Sequence, residues 1–183
     1  MKSSFRLLAG RLCICALLIL AVSCGSEEGE RAQQTLEPLS VEELQQLFPS
    51  LIPGTRTTPH SGGRQTSEGR VLMKASGEYM FNGGGYVRIS VTDFTDLTDY
   101  MLPYKSQYDM FSKSTQEGFS TIKNNNGIGV EQWDPGERSG TIRFLALDRF
   151  GIVIEIMRMP KESALDARGI LESLNFNALK LKI

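Results

Sequence analysis

The stretch GIGVEQWDPGERSGTIRFLALDRFGIVIEI, residues 127–156, decides the fold because it contains two turn signals between three apolar runs. Asp134-Pro135-Gly136 and Asp148-Arg149 are the turns, and the runs that they separate predict three neighbouring strands. The second and third runs carry apolar residues on both faces, as in Phe144 and Leu145. Strands that are apolar on both sides need cover on both sides, so we expect helices over both faces of this part of the sheet.

Alternation continues upstream, where Val71–Phe81 and Val87–Val91 flank Asn82-Gly83-Gly84-Gly85. A period of two on either side of a glycine-rich turn predicts a β-hairpin. A phosphate-binding loop is the alternative for the glycines, but such a loop is followed directly by a helix. The next residues alternate as a strand does, which favours the hairpin. A further strand is predicted at 119–123, before the turn at 124–127.

Helix signals flank these strands. Ser40 and Glu43 form an S-x-x-E capping box, and Leu39 and Leu44 occupy the positions of a hydrophobic staple, so a helix is predicted to begin at Val41. A closing amphipathic helix is predicted from apolar residues at helical spacing: Ala167, Ile170, Leu171 and Leu174. Residues 54–69, which are mostly polar and rich in glycine and proline, are predicted to form a loop.

The segment TDFTDLTDY, residues 92–100, repeats Thr-Asp every three residues. Calcium loops space their ligands by two and contain a turn glycine, and neither feature is present. We therefore expect these side chains to cap and begin a helix whose buried stripe is Tyr104, Tyr108 and Phe111, with Pro103 kinking or resetting it. A divalent-ion site is the alternative.

These patterns predict an α+β fold with a mostly antiparallel sheet of about five to six strands, packed with two to three helices. The chain from 40 to 183 has a length typical of a single domain. The fold class follows from the order of the elements: a helix, a hairpin, a helix, four strands and a closing helix.

The N-terminus has the layout of a secretory signal. Lys2, Arg6 and Arg11 precede an apolar run, residues 12–22, that is too short to cross a bilayer as a helix. The residues Ala21-Val22-Ser23-Cys24 resemble the lipobox of bacterial lipoproteins. That resemblance implies cleavage after residue 23 and lipidation of Cys24, with residues 24–39 as a lipidated cysteine and flexible tether. A plain signal peptide that leaves a free thiol is the alternative.

Charge and cysteine content narrow the function. Removing residues 1–23 takes three of the 20 Lys and Arg and none of the 21 Asp and Glu, so the net charge becomes −4. This sign argues against nucleic acid as a partner, and we expect membrane contact through the N-terminal lipid. Cys13 and Cys15 leave with the signal, so no disulfide, thiolate nucleophile or cysteine-ligated metal is expected in the domain.

Two residue choices bear on localisation. Gly25 follows the lipobox cysteine where many inner-membrane lipoproteins of Gram-negative bacteria have aspartate, so the resemblance favours the outer membrane. Glu27 and Glu28 are similar to the acidic export tag of some surface lipoproteins, although ordinary linker composition explains them equally well. We therefore expect a lipid-anchored protein of the bacterial cell envelope, on its periplasmic or surface face.

The domain itself also carries a resemblance. Its hairpin, the G-x-x-G-x-E-x-[WY]-D pattern and the Arg-Phe turn resemble an uncharacterised group of exported bacterial α+β domains. The residues that match are Glu131, Trp133, Asp134, Arg149 and Phe150. This resemblance implies a scaffold and no catalytic residues, so no activity follows from it.

The motifs do not identify a function, so function is predicted from the residues that remain. His60, the single histidine, lies in a polar segment and is expected to be a solvated loop residue. No catalytic residue, metal ligand or cofactor is predicted, and the chain is expected to be a non-enzymatic interaction or accessory module with an envelope protein as its partner. The candidate interaction residues are Trp133, Glu131, Asp134 and Arg149. A small-ligand-binding lipoprotein is the alternative, and a hydrolase using Glu131 and Asp134 is a further alternative.

The lipobox generates the first prediction. Cys24→Ala removes the thiol that accepts the lipid, so the variant should lose lipid labelling and leave the membrane fraction. Metabolic labelling with an alkyne fatty acid, followed by fractionation, measures both effects. Membrane retention of an unlabelled wild-type chain would contradict the lipoprotein assignment.

Overall fold

The computed structural model describes residues 37–67, 69–95, 97–163 and 165–183. The predictions for the signal sequence, for Cys24, for residues 25–36 of the tether and for Asp96 lie outside these ranges. None of the helices in the described ranges is long and apolar enough to cross a membrane.

Within the described residues, the strands form one sheet of eight strands, and every pairing in it is antiparallel. The strands are β1 (Thr55–Thr57), β2 (Ser61–Ser67), β3 (Arg70–Phe81), β4 (Tyr86–Asp93), β5 (Phe119–Asn124), β6 (Gly127–Asp134), β7 (Ser139–Ala146) and β8 (Phe150–Met157). Their order across the sheet is β1-β3-β4-β8-β7-β6-β5, with β2 also paired to β3. The α+β class and the antiparallel sheet are confirmed, but the sheet is larger than the predicted five to six strands.

The two additional strands, β1 and β2, lie inside residues 54–69, for which the sequence predicted a loop. Both pair with the same side of β3, whose twelve residues are long enough to accommodate them one after the other. Edge strands are held by backbone hydrogen bonds to a single neighbour and need no buried face. The polar sequence SGGRQTS therefore forms a strand without any apolar alternation.

The predicted hairpin is confirmed as β3 and β4, and β5 to β8 follow at the predicted places. Gly85 shows why glycine is needed in the first turn. Its φ is +91°, and a Cβ there would lie 2.3 Å from the carbonyl oxygen of Met157. The glycine-rich turn is followed by β4 and not by a helix, which excludes the helix-terminus geometry of a phosphate loop.

In the part of the chain that the structure describes, four helices accompany the sheet, one more than the upper prediction of three. They are α1 (Val41–Gln45), α2 (Thr98–Ser112), α3 (Ala167–Glu172) and α4 (Phe176–Lys180). The capping box is confirmed: Glu43 N donates to Ser40 Oγ at 3.2 Å, and Ser40 N donates to Glu43 Oε2 at 2.9 Å. Hydrogen bonds from Lys182 and from the backbone of Ser40 lower the pKa of Glu43.

One face of the sheet, called the packed face here, is covered by α1, α3 and α4. Their buried residues, among them Leu44, Ile170 and Leu179, join the inward side chains of β3, β4, β7 and β8 in one apolar core. The predicted closing helix is present as α3, and all four of its predicted apolar residues are buried. Its continuation into α4 was not predicted.

The opposite face, called the open face here, is covered at one end by α2. Met101 of α2 joins Leu72, Phe94 and Leu145 in a smaller apolar cluster. The expectation that helices cover both faces of the central strands is therefore only half correct, because much of the open face is left bare. The predicted stripe is also shifted: Met101 is the buried residue of α2, whereas Tyr104, Tyr108 and Phe111 are half-buried.

The expectation that Thr-Asp side chains cap α2 is wrong for the described residues. The N-cap is Leu97, which makes no side-chain capping hydrogen bond, and the helix continues through Pro103. Asp99 lies in the first turn, exposed, with its Oδ2 3.5 Å from Arg70 Nη1. Asp93, the first acid of the repeat, is instead fully buried.

Asp93 forms a two-point ion pair with Arg149. Nε of Arg149 donates to Oδ1 at 2.8 Å, and Nη2 donates to Oδ2 at 2.7 Å. The same two side chains hold the incoming chain, because Leu39 N donates to Asp93 Oδ2 and Arg149 Nη2 donates to the carbonyl of Glu37, both at 2.8 Å. The folded domain therefore includes residues 37–39, which the sequence analysis gave to the tether.

This ion pair generates the second prediction. Asp93→Ala leaves a buried guanidinium without its counter-charge, so the free energy of unfolding should fall by about 3 to 5 kcal/mol. Urea unfolding followed by circular dichroism measures the loss.

Asp99→Ala is the matched control, because its carboxylate is 71% exposed and pairs only at the surface. We expect a change within about 0.5 kcal/mol for the control. Equal effects of the two substitutions would show that the Asp93–Arg149 pair does not hold the fold together.

Candidate binding groove

The open face carries a row of side chains that crosses five adjacent strands. Strand pairing places Arg88 opposite Glu155, Glu155 opposite Thr141, Thr141 opposite Gln132, and Gln132 opposite Phe119. Residues that are directly paired share a face of the sheet, so all five side chains rise from the open face. With neighbouring strands about 4.8 Å apart, the row is about 19 Å long.

This row forms the floor of a groove of about 860 Å³. The segment after α2 forms one wall, where Glu117 and Gly118 line the groove. Trp133 N donates to the carbonyl of Gly118 at 2.8 Å, which fixes this wall to β6. A second row, containing Tyr86, Met157 and Asp134, lines the groove beside the first.

One cation in the groove is already paired. Arg88 Nη2 lies 2.8 Å from Glu78 Oε2, and Arg88 Nη1 lies 3.2 Å from Glu155 Oε2. The hydrogen bond to Glu78 is the main cause of a raised pKa for Arg88, so the guanidinium keeps its charge. Its charge is therefore balanced by two carboxylates on the neighbouring strands.

The other charged residues that line the groove are acidic. Besides Arg88, the lining contains Glu117, Asp134 and Glu155. Across the part of the chain that the structure describes, Glu117 and Asp134 form no ion pair. The groove thus has an excess of negative charge beside its one neutralised arginine.

Apolar surface lies next to these acids. Phe119 stacks on Phe111 of α2, with ring centroids 4.5 Å apart and planes 6° apart, which fixes its ring at one end of the groove. Met157 is 42% exposed, and the Tyr86 ring lies under the Arg88 guanidinium at 4.8 Å. A ligand in the groove would therefore meet rings and a thioether as well as carboxylates.

Two of the four predicted interaction residues, Glu131 and Arg149, form their contacts outside the groove. Glu131 Oε2 accepts from Arg168 Nε and from Ser120 Oγ, both at 2.9 Å, which connects α3 to β5 and β6. Arg149 is buried in its pair with Asp93. Neither side chain lines the groove.

Trp133 and Asp134 both border the groove, but only Asp134 has its side chain on the open face, because Trp133 alternates with it and packs against the core of the packed face. Trp133 also lines a smaller cavity of about 280 Å³ and packs closely on Gly140, where a Cβ would lie 2.6 Å from its ring. Asp134 Oδ1 accepts from the amides of Gly136 and Glu137, which builds the β6–β7 turn.

Glu131 and Asp134 do not share a face. Side chains three residues apart in a strand point to opposite sides of the sheet. Glu131 accordingly contacts α3 on the packed side, whereas Asp134 lines the groove. The two carboxylates are therefore not arranged to flank one scissile bond, which is what a glycosidase pair requires.

His60 is not the solvated loop residue that the sequence predicted. Its ring packs edge-on against Phe48, with centroids 5.1 Å apart, and lies near Tyr79 and over Gly77. Its Nε2 is buried and has no hydrogen-bond partner within the described residues. Burial raises the pKa of Tyr79 to about 12. His60 is thus part of the apolar packing between β3 and the segment after α1.

Within the described ranges, no group of three or more His, Cys, Asp or Glu side chains is arranged to hold a metal ion. No protein-family model, curated protein or solved structure matches this chain.

The surroundings of His60 generate the third prediction. His60→Ala removes the ring from its contacts with Phe48 and Tyr79, so we expect a loss of about 1 to 3 kcal/mol in the free energy of unfolding. His60→Phe keeps a ring there and removes the unpartnered nitrogen, so its stability should be close to that of the wild type or above it. Urea unfolding of both variants distinguishes the cases. An unchanged His60→Ala variant would show that the ring is solvated after all.

Proposed function

We propose that this protein is a lipid-anchored module of the bacterial cell envelope that binds an envelope protein through the groove on its open face. The proposal is non-enzymatic, with no cofactor and no nucleic acid partner. The observation that carries it is the uncovered row of polar and aromatic side chains across five strands. A sheet face that α2 leaves bare, and that combines rings with unpaired acids, is suited to recognition.

The lipobox around Cys24 supports membrane attachment through lipid, and Gly25 supports the outer membrane. Acyl chains contribute about 0.8 kcal/mol for each buried methylene, so a doubly or triply acylated cysteine attaches firmly. Residues 25–36 separate that cysteine from Glu37, where the described domain begins. The tether that the composition of these residues predicts would span roughly 20 Å and so hold the domain near the membrane.

A small-ligand receptor is the second candidate, and the size of the groove favours it. Its volume of about 860 Å³ lies within the range of small-molecule sites. Such sites usually surround most of their ligand, whereas this groove extends along a sheet face and is open on one side. A protein segment laid across the strands uses that shape more fully.

The experiment uses the complete lipidated chain in intact envelopes. A photo-cross-linking residue at Gln132, an exposed position in the row, should yield one discrete adduct with a second protein. The same residue at Glu172, on the packed-face helix α3, is the matched control and should yield none. Excess purified domain should compete the Gln132 adduct away.

Failure at Gln132, or the same adducts from Gln132 and Glu172, would contradict the proposal. A Gln132 adduct of small-molecule mass would favour the receptor function instead. Cross-linking tests only where a partner sits, and so leaves the chemistry of that partner to a separate experiment.

A further inference from the structure

We infer that the groove binds an extended peptide segment that carries arginine or lysine beside apolar residues. The inference rests on the proposed function and specifies the chemistry of the partner. It follows from the charge, the length and the aromatic content of the groove.

The charge of the groove favours a cationic ligand. Glu117 and Asp134 line the groove without a cationic partner among the described residues, and Glu155 shares Arg88 with Glu78. An incoming anion would meet these carboxylates, whereas an incoming guanidinium or ammonium group would pair with them. Because the Arg88 charge is already balanced, it does not reverse this preference.

The length of the groove favours an extended segment of chain. The row from Arg88 to Phe119 is about 19 Å long, which matches about six residues of extended chain at 3.3 Å for each residue. Thr141, at the centre of the row, has a small side chain that leaves space for a backbone to cross. A small cation would occupy only part of this length.

The aromatic and thioether surface of the groove favours a segment that also carries apolar side chains. The Phe119 ring, held in place by its stack on Phe111, lies at one end of the row. Met157, which is 42% exposed, lies in the second row of the groove, together with Tyr86 and Asp134. Apolar side chains of the segment can pack on these groups, and a cationic group near a ring gains a further attraction.

The chain's own tether does not fit this description. Residues 25–36 contain Glu27, Glu28 and Glu30 and one base, Arg31. The segment therefore has the same sign of charge as the groove. The occupant that the charge favours is a segment of a different protein.

The test compares two capped peptides, Arg-Leu-Arg-Leu-Arg and its charge-reversed counterpart Glu-Leu-Glu-Leu-Glu, with the mature chain. Two-dimensional NMR should show that only the arginine peptide shifts the amide signals of Gln132, Thr141 and Glu155. Binding should weaken as salt is added, because partly exposed charges are screened.

Variants that remove charge test whether the arginine peptide binds at the carboxylates of the groove. Glu117→Gln with Asp134→Asn should weaken binding of the arginine peptide by about tenfold, since both carboxylates face the groove. Asparagine at 134 keeps an acceptor for the turn amides. Glu42→Gln with Glu172→Gln is the matched control: it removes the same charge from exposed positions on α1 and α3, and binding should stay unchanged.

Several results would overturn the inference. They are equal binding of the two peptides, no binding of either, equal effects of the two double variants, and shifts with spermidine that the arginine peptide does not produce. Sedimentation that showed a dimer blocking the groove would replace the peptide by a second copy. A Gln132 cross-link to a different protein, together with any of the peptide results, would leave the proposed function intact and remove only the basic peptide.

Discussion

The buried ion pair between Asp93 and Arg149 fixes how the chain enters its fold. Removing two charges from water costs several kcal/mol for each ion, so such a pair is maintained only where hydrogen bonds satisfy both groups. Here the carboxylate also accepts from Leu39 N and Thr95 N, each at 2.8 Å, and the guanidinium also donates to the carbonyl of Glu37. The end of β4, the β7–β8 turn and the start of the domain are therefore held at one point.

That entry point determines which side of the sheet is available. The chain runs from residues 37–39 into α1, and α1, α3 and α4 close the packed face over a continuous apolar core. The open face has α2 alone, which covers the end near Leu72 and Leu145. The part of the open face that α2 leaves uncovered extends across five strands and forms the groove. The surface that we propose to be functional is thus what the packing of the helices leaves uncovered.

The sequence predicted those elements whose signals are local. Alternating apolar residues identified β3 to β8, and the capping box located α1 at its first residue. It missed β1 and β2, because edge strands of polar residues need no alternation. It missed the ion pair, because Asp93 and Arg149 are 56 residues apart and no local pattern connects them. Of the four predicted interaction residues, only Asp134 has its side chain in the groove, and Trp133 borders it from the packed face. The groove was present in the sequence as polar residues at every second position of β4, but β8 contributes only Glu155 to that pattern, and the width of the groove depends on strand order.

Hydrogen exchange in the envelope tests most directly whether the groove is the surface that binds a partner. Exchange of the full chain in membranes from cells that express it is compared with exchange of the purified domain, peptide by peptide. The account predicts added protection at residues 117–119, 131–134 and 139–141, with none at the β1–β2 edge or in α1. Added protection confined to that edge or to α1, with the groove unchanged, would contradict it.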